Sequence, residues 1–173
     1  MLGLSFNKIE LCDHQIEWTD NAEATIQKLK KLLDGAVFDI QHVGSTAVKH
    51  IKAKPIIDIA VGVVGFDVLT DISKLLEENG IYKFLYHDDD IMYVINDPEN
   101  DTRTHNIHIV IYDGEKWHSY IKFRNYLNAH PEKARAYESL KVELARQYPN
   151  DLSSYTHGKH AFISECLAES VLS

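Results

Sequence analysis

The chain sets a charged side chain in its most apolar stretch. Asp58 lies within PIIDIAVGVV, Pro55 to Val64, and strand alternation there sends Ile57 and Ile59 to one face and Ile56, Asp58 and Ala60 to the other. An ionised carboxylate at such a position has to be paired, hydrogen-bonded, bound to a metal or set at the rim of a cleft, because leaving it bare and buried costs several kcal/mol. A purely structural aspartate would pair with Lys54 or Arg103. Upstream, in HVGSTAVKHIKAK, Gly44-Ser45 closes one strand and Thr46 begins a short helical turn. Backbone N–H groups converge at such turns and can receive a phosphate; glycine permits close approach, and the Ser45 hydroxyl adds a donor. Together the turn and the strand aspartate suggest a phosphate cradle facing a carboxylate.

Two imidazoles belong to the same candidate site. His42 precedes the turn and shares a strand face with Phe38 and Ile40, while His108 shares one with Asn106 and Val110. His42, Asp58 and His108 could together bind zinc, manganese or iron, or act as an acid–base set beside a phosphate; alternatively, the two histidines hydrogen-bond groups of the core. His105 points away from His108 on the same strand, so that pair cannot clamp one ion. His157 and His160 flank Gly158 and Lys159 and read as a surface pair. Lys54, Arg103, Arg124, Lys141 and Lys159 come from separate elements, and drawn to one cleft they would make an anion site, with Tyr155 able to stack or donate. Walker loops, dinucleotide fingerprints, nucleophile elbows and zincin motifs are absent from the sequence.

The elements that must position these residues follow from periodicity. Ala22, Ile26, Leu29 and Leu33 predict a helix from Trp18 to Leu33, ended by Asp34-Gly35. AVFDIQHVG predicts a strand, and PIIDIAVGVV, dense in β-branched residues, a central one. Phe66 to Asn79 is a second amphipathic helix. IYKFLYH and IMYVIND form a hairpin around Asp88 to Asp90, within an acidic stretch that reads as solvated, and NIHIVIY, Asn106 to Tyr112, is a further strand. Three helices follow: Trp117 to Ala129, Pro131 to Tyr148 with proline in its first turn, and Leu152 to about Leu172. The expected fold is α/β, a mixed sheet of about five strands with flanking helices (1–114) and a C-terminal helical segment (115–173), in one unit over 1–173.

At 173 residues and 45% hydrophobic composition the chain can bury one substantial core. Its net charge is −8, and without a block of Lys and Arg it lacks the footprint of a protein held to duplex nucleic acid by phosphate neutralisation. Its apolar runs are strand-sized, so no membrane span is expected, and the N-terminal sequence lacks the layout of a secretion signal. Cys12 and Cys166 have no metal-type spacing; the expectation is a reduced, cytoplasmic protein.

HVGSTAVKHIKAKPIIDIAV resembles the signature of the GrpB family, His-Ile/Val-Gly-Ser-Thr followed by Lys-Pro-Ile-Ile-Asp-Ile. THNIHIV (104–110), WHSYIKFRNYLNAHPEKARAYESLKVELA (117–145) and SYTHGKHAFI (154–163) resemble its later motifs, so the likeness covers nearly the whole chain. The resemblance implies a nucleotidyltransferase-like fold, in which a Gly-Ser turn precedes an Asp-x-Asp strand and a third carboxylate lies on a neighbouring strand, together holding divalent metal over a triphosphate. By that resemblance Gly44, Ser45 and Thr46 belong to the turn and Asp58 is the first carboxylate; Arg124, Lys141 and Lys159 match the family's Arg and Lys positions, and with Lys54, Arg103 and Tyr155 they are the expected nucleotide-binding residues. Ala60 replaces the second carboxylate and His108 the third. The implied ligand is a nucleotide or phosphorylated small molecule, with Mg²⁺, Mn²⁺ or Zn²⁺ as the metal and nucleotidyl transfer as the reaction. A non-catalytic nucleotide- or anion-binding module and a His/Asp metal-dependent hydrolase are the alternatives.

Overall fold

The computed structural model describes residues 2–97, 99 and 101–170. Its elements run β1 (Leu4–Ser5), α1 (Glu17–Leu32), β2 (Val37–Val43), a single 3-10 turn (Ser45–Ala47), β3 (Ile57–Val63), a second such turn (Phe66–Val68), α2 (Leu69–Glu78), β4 (Ile81–His87), β5 (Asp90–Asp97), β6 (Thr102–Ile111), α3 (Glu115–Ala129), α4 (Pro131–Gln147), α5 (Leu152–His157) and α6 (His160–Glu169). The α/β class and the elements expected from periodicity are present. The sheet has six strands rather than about five, ordered β2-β3-β6-β5-β4, with the two-residue β1 antiparallel to the start of β6. A two-residue strand carries no periodic signal, which is why the sequence does not announce it. The C-terminal helix expected from Leu152 to Leu172 is interrupted at Gly158-Lys159 into α5 and α6, and its last expected residues lie outside the described ones.

β3 is central, antiparallel to β2 and parallel to β6. One sheet face is built from Ile57, Ile59, Val61 and Val63 with Ile107 and Ile109, and it packs on the apolar stripes of α1 (Ala22, Ile26, Leu29) and α2 (Ile72, Leu76). Helical spacing of those residues makes each stripe, and their burial supplies the main core. The other face is narrower. Val43, Ala60 and Val110 meet Trp117 of α3, and α3, α4 and α6 share a second cluster that includes Phe123, Tyr137 and Cys166. Pro131 opens α4, where its missing N–H is harmless. No helix among the described residues is long and apolar enough to cross a membrane.

Register decides which residues meet on the second face. Val43 pairs with Asp58, Asp58 with Asn106, and Asn106 with Val94. One step along, Ala60 pairs with His108 and His108 with Met92. Paired residues share a face, so Asp58, Asn106 and His108 lie together on the side of α3.

The turn after β2 is held against this row. Gly44 has φ 70° and ψ −168°, a region essentially reserved for glycine, and a Cβ there would lie 2.3 Å from Asp58 Oδ2. Gly44→Ala is therefore expected to lower stability by roughly 2–4 kcal/mol, read from urea unfolding. In an Asp58→Ala background the same change should cost less, because the Oδ2 contact is gone. Equal costs in both backgrounds would show that the close approach does not matter.

Candidate functional site

Asp58 reaches the site from β3, and each of its oxygens is accounted for. Oδ1 accepts from Asn106 Nδ2 at 2.7 Å and lies 3.6 Å from His108 Nε2, while Oδ2 faces Gly44. Its side chain is 25% exposed. Burial pushes the carboxyl pKa up, but His108, Asn106 and the charge of Lys54 outweigh it and hold Asp58 below its ordinary range. The structural pairing with Lys54 or Arg103 is not formed.

His108 is the hub. Its Nδ1 lies 3.0 Å from Asp90 Oδ2, and Tyr120 Oη donates to the same oxygen at 2.5 Å. Burial alone would lower the imidazole pKa; Asp58 and Asp90, through hydrogen bonding and charge, raise it to about 9. Asp90 is held low by the same balance, burial opposed by His108 and Tyr120. Sequence reasoning missed Asp90, Asn106 and Tyr120. The acidic stretch around Asp90 reads as a solvated turn, yet Asp90 is the first residue of β5, paired with His87 and only 6% exposed. The one available signal is its alternation with Met92 and Val94, which share the face of His108 and Asn106.

His42 does not join this set. Since Val43 pairs with Asp58, His42 pairs with Ile59 and faces the opposite side of the sheet. There its Nε2 bonds Thr46 Oγ1 at 2.9 Å, and burial lowers its pKa to about 4. The trio His42, Asp58 and His108 expected from the sequence is thus split by a single step of register. Thr46 is buried and engaged by His42. His105 is on the far face as expected, against Thr25 of α1 at 3.1 Å.

The basic residues separate into two groups. Lys54 and Lys159 approach the ring of Tyr155 at 5.3 and 4.7 Å from its centroid, and both feel the charge of Asp58. Arg103 feels it as well; a register shift in β6 sets Arg103 opposite Asn96, out of step with His105. Its guanidinium rests on Phe6 and Phe84, and its buried Nε has no hydrogen-bond partner. Burial, reinforced by Lys159, lowers the Lys54 pKa to about 8, and burial lowers that of Lys159 too. No carboxylate among the described residues lies within ion-pair reach of Lys54, Arg103 or Lys159. Ser45 contacts the hydroxyl of Tyr137 at the edge of this group.

Two expected ligand residues are committed elsewhere. Arg124 Nη1 donates to Gln41 Oε1 at 3.0 Å and to the His42 carbonyl at 2.8 Å, tying α3 to β2. Lys141 is 1% exposed, donates to the Lys52 carbonyl and lies over Tyr137; burial first, then Lys159, brings its pKa down to about 7. Tyr155, whose ring both Lys54 and Lys159 approach, is also 1% exposed. His157 and His160 pair with each other on an exposed surface, ring centroids 5.3 Å apart.

The family model described as GrpB protein matches residues 8–169. The chain belongs to the GrpB family. A relative, the glutamate-rich protein GrpB of Alkalihalophilus pseudofirmus, is 41% identical over 176 residues, covering 98% of this chain and 99% of its own. A UPF0157 protein of Pseudomonas aeruginosa is 31% identical, with 95% of this chain and 69% of its own covered. The crystal structure of GrpB from Enterococcus faecalis is similar at a TM-score of 0.84 and 29% identity, covering 94% of this chain and 97% of that one. Family membership fits the order of motifs from the Gly44-Ser45 turn to the α6 segment.

The divalent metal implied by the nucleotidyltransferase resemblance does not fit these residues. Mg²⁺ needs oxygen ligands, usually from more than one carboxylate. Ala60 offers none, and His108 lies between Asp58 and Asp90 with a ring nitrogen turned to each. Among the described residues no group of three or more His, Cys, Asp or Glu could hold an ion.

His108 makes stability depend on pH. Its pKa is raised from 6.5 unfolded to about 9 folded, so its contribution is fully present below the unfolded value and is lost as pH rises through about 9. Lys54 and Lys141 have lowered pKa values and act in the opposite direction, so the difference between variants is the quantity to measure. The unfolding free energy of the wild type minus that of His108→Gln is expected to shrink steadily between pH 6.5 and pH 9.5. A difference that stays constant would mean that His108 is not charged in the folded chain.

Proposed function

We propose that the chain binds a nucleotide or another phosphorylated small molecule in the cleft between the Gly44-Ser45 turn and Lys54, Arg103 and Lys159. One observation carries this reading. In a chain of net charge −8, three cations from three separate segments all feel the charge of Asp58, whose Oδ2 faces Gly44, and none has a carboxylate partner within ion-pair reach among the described residues. Lost hydration on burial is the first cause of the lowered pKa values of Lys54 and Lys159, and at Lys54 repulsion from Lys159 and Arg103 adds to it. An anionic ligand reverses both costs. The turn supplies backbone N–H groups, Ser45 a hydroxyl, and Arg103 an unpaired Nε. Asp58 offsets part of the charge of the three cations, and His108, on its other side, answers part of the charge of Asp58.

A binding module is preferred over a nucleotidyl-transfer enzyme, because the carboxylates that would carry that chemistry are not assembled. The transfer reading retains Asp58 as its one matching carboxylate, beside the Gly44-Ser45 turn.

Thermal shift against ATP, GTP, CTP, UTP and inorganic triphosphate tests the proposal. A ligand at a hundred times its Kd stabilises by about 2.7 kcal/mol, several degrees for a domain of this size. Lys159→Met and Lys54→Met should each weaken binding by roughly 10-fold or more, the worth of a charge-assisted contact, with little change in unliganded Tm. Affinity should also fall as pH rises from 7 to 9, since the protonated lysines hold the anion and Lys54 loses its proton near pH 8 in the free chain. Absence of any shift with all five ligands would reject the reading.

A further inference from the structure

We infer that His108, clasped between Asp58 and Asp90, takes the place of a divalent cation, so that this site holds its ligand without metal. The inference rests on the proposed anion cleft for its ligand and on side-chain geometry for the substitution.

The geometry is that of a cation site with an imidazole in it. Nδ1 lies 3.0 Å from Asp90 Oδ2, and Nε2 lies 3.6 Å from Asp58 Oδ1. Ionised carboxylates only accept hydrogen bonds, and a neutral imidazole carries one N–H and one bare lone pair. With a carboxylate at each nitrogen, the neutral ring would turn a lone pair on one of them. Only the doubly protonated ring presents N–H to both, so it brings one positive charge to two negative ones.

The surroundings close off alternatives for a metal. The remaining oxygen of Asp58 is against Gly44, where even a Cβ would not fit. Asp90 is occupied by Tyr120 in addition to His108, and Tyr120 Oη is also 3.0 Å from Nδ1. Asn106, on the row of Asp58, donates its amide to the same Oδ1 that faces His108. Ala60, the register neighbour of His108, has no donor atom to give. One positive charge is therefore set between the two carboxylates from within the fold, leaving a single negative charge in excess, and Lys54, Arg103 and Lys159 remain for the ligand's own charge.

The test uses Mn²⁺ alone, followed by electron paramagnetic resonance of the free ion, on the full-length chain. The wild type is expected to leave the free-ion signal unattenuated apart from weak surface binding. His108→Asp, which exchanges the cation for a third carboxylate, is expected to gain one site per chain, at least 10-fold tighter than any in the wild type and removed by Asp58→Asn. A tight wild-type site lost in Asp58→Asn would overturn the inference, as would a His108→Asp protein with native circular dichroism and no gain. If His108→Asp does not fold, the wild-type titration decides alone. A second arm measures ATP affinity with EDTA and with excess Mg²⁺. Equal or tighter binding in EDTA is expected, and binding only with Mg²⁺ would overturn the inference. If no nucleotide binds in either condition, the ligand reading fails and the Mn²⁺ titration still judges the role of His108.

Discussion

The contact of Asp58 with Gly44 is the constraint to which the rest of the site answers. A carboxylate placed in the central strand has no room to turn away, since its neighbours on that face are Val43 and Asn106 by register. The β2 turn must pass over it with a residue that has no side chain, in a backbone conformation that only glycine tolerates. The charge must then be met by donors on the adjoining strand, and Asn106 and His108 provide them from β6. His108 in turn requires a second acceptor, which Asp90 supplies from β5. A single half-buried charge thus sets side chains on three neighbouring strands and the form of the turn after a fourth.

The same charge explains how a net-acidic chain can hold unpaired cations. Lys54, Arg103 and Lys159 all feel Asp58 at a distance, which offsets part of their mutual repulsion without forming an ion pair that would occupy them. Aromatic faces supply the remainder of the support: Tyr155 lies near both lysines, and Phe6 and Phe84 flank Arg103.

What could be read from the sequence and what could not divide along a physical line. Helix stripes, the central apolar strand and the Gly-Ser turn are local, carried by periodicity or by a residue with one conformational use, and all lie where the pattern puts them. The partnerships across strands are not local. His42 is on the correct strand, but pairing of its neighbour Val43 with Asp58 sends it to the other face, and a sequence does not print its register. Asp90 is hidden by composition: it ends a run of aspartates that is otherwise solvated, and only the pairing of β5 with β6 shows that it faces His108. Lys141 and Arg124 have the right chemistry for a ligand but are spent on backbone carbonyls, a distinction that only tertiary packing makes.

Ala60 gains a different meaning from this packing. Compared with an Asp-x-Asp strand it looks like a deletion, a carboxylate trimmed to a methyl group. In the fold it is one of a pair of small residues, Ala60 and Gly62, on which α3 lies: Trp117 packs on Val43, Ala60 and Val110, and a Cβ at Gly62 would meet Tyr112 at 2.8 Å and Trp117 at 3.1 Å. That close seat brings Tyr120, one helical turn beyond Trp117, to Asp90. A carboxylate at position 60 would be buried under an indole and would hold the helix off the sheet, withdrawing the hydroxyl that helps Asp90 to remain ionised opposite His108. The small residue and the bridging imidazole are therefore two parts of one arrangement, in which the helix and the histidine satisfy the carboxylates that a metal would otherwise have to serve.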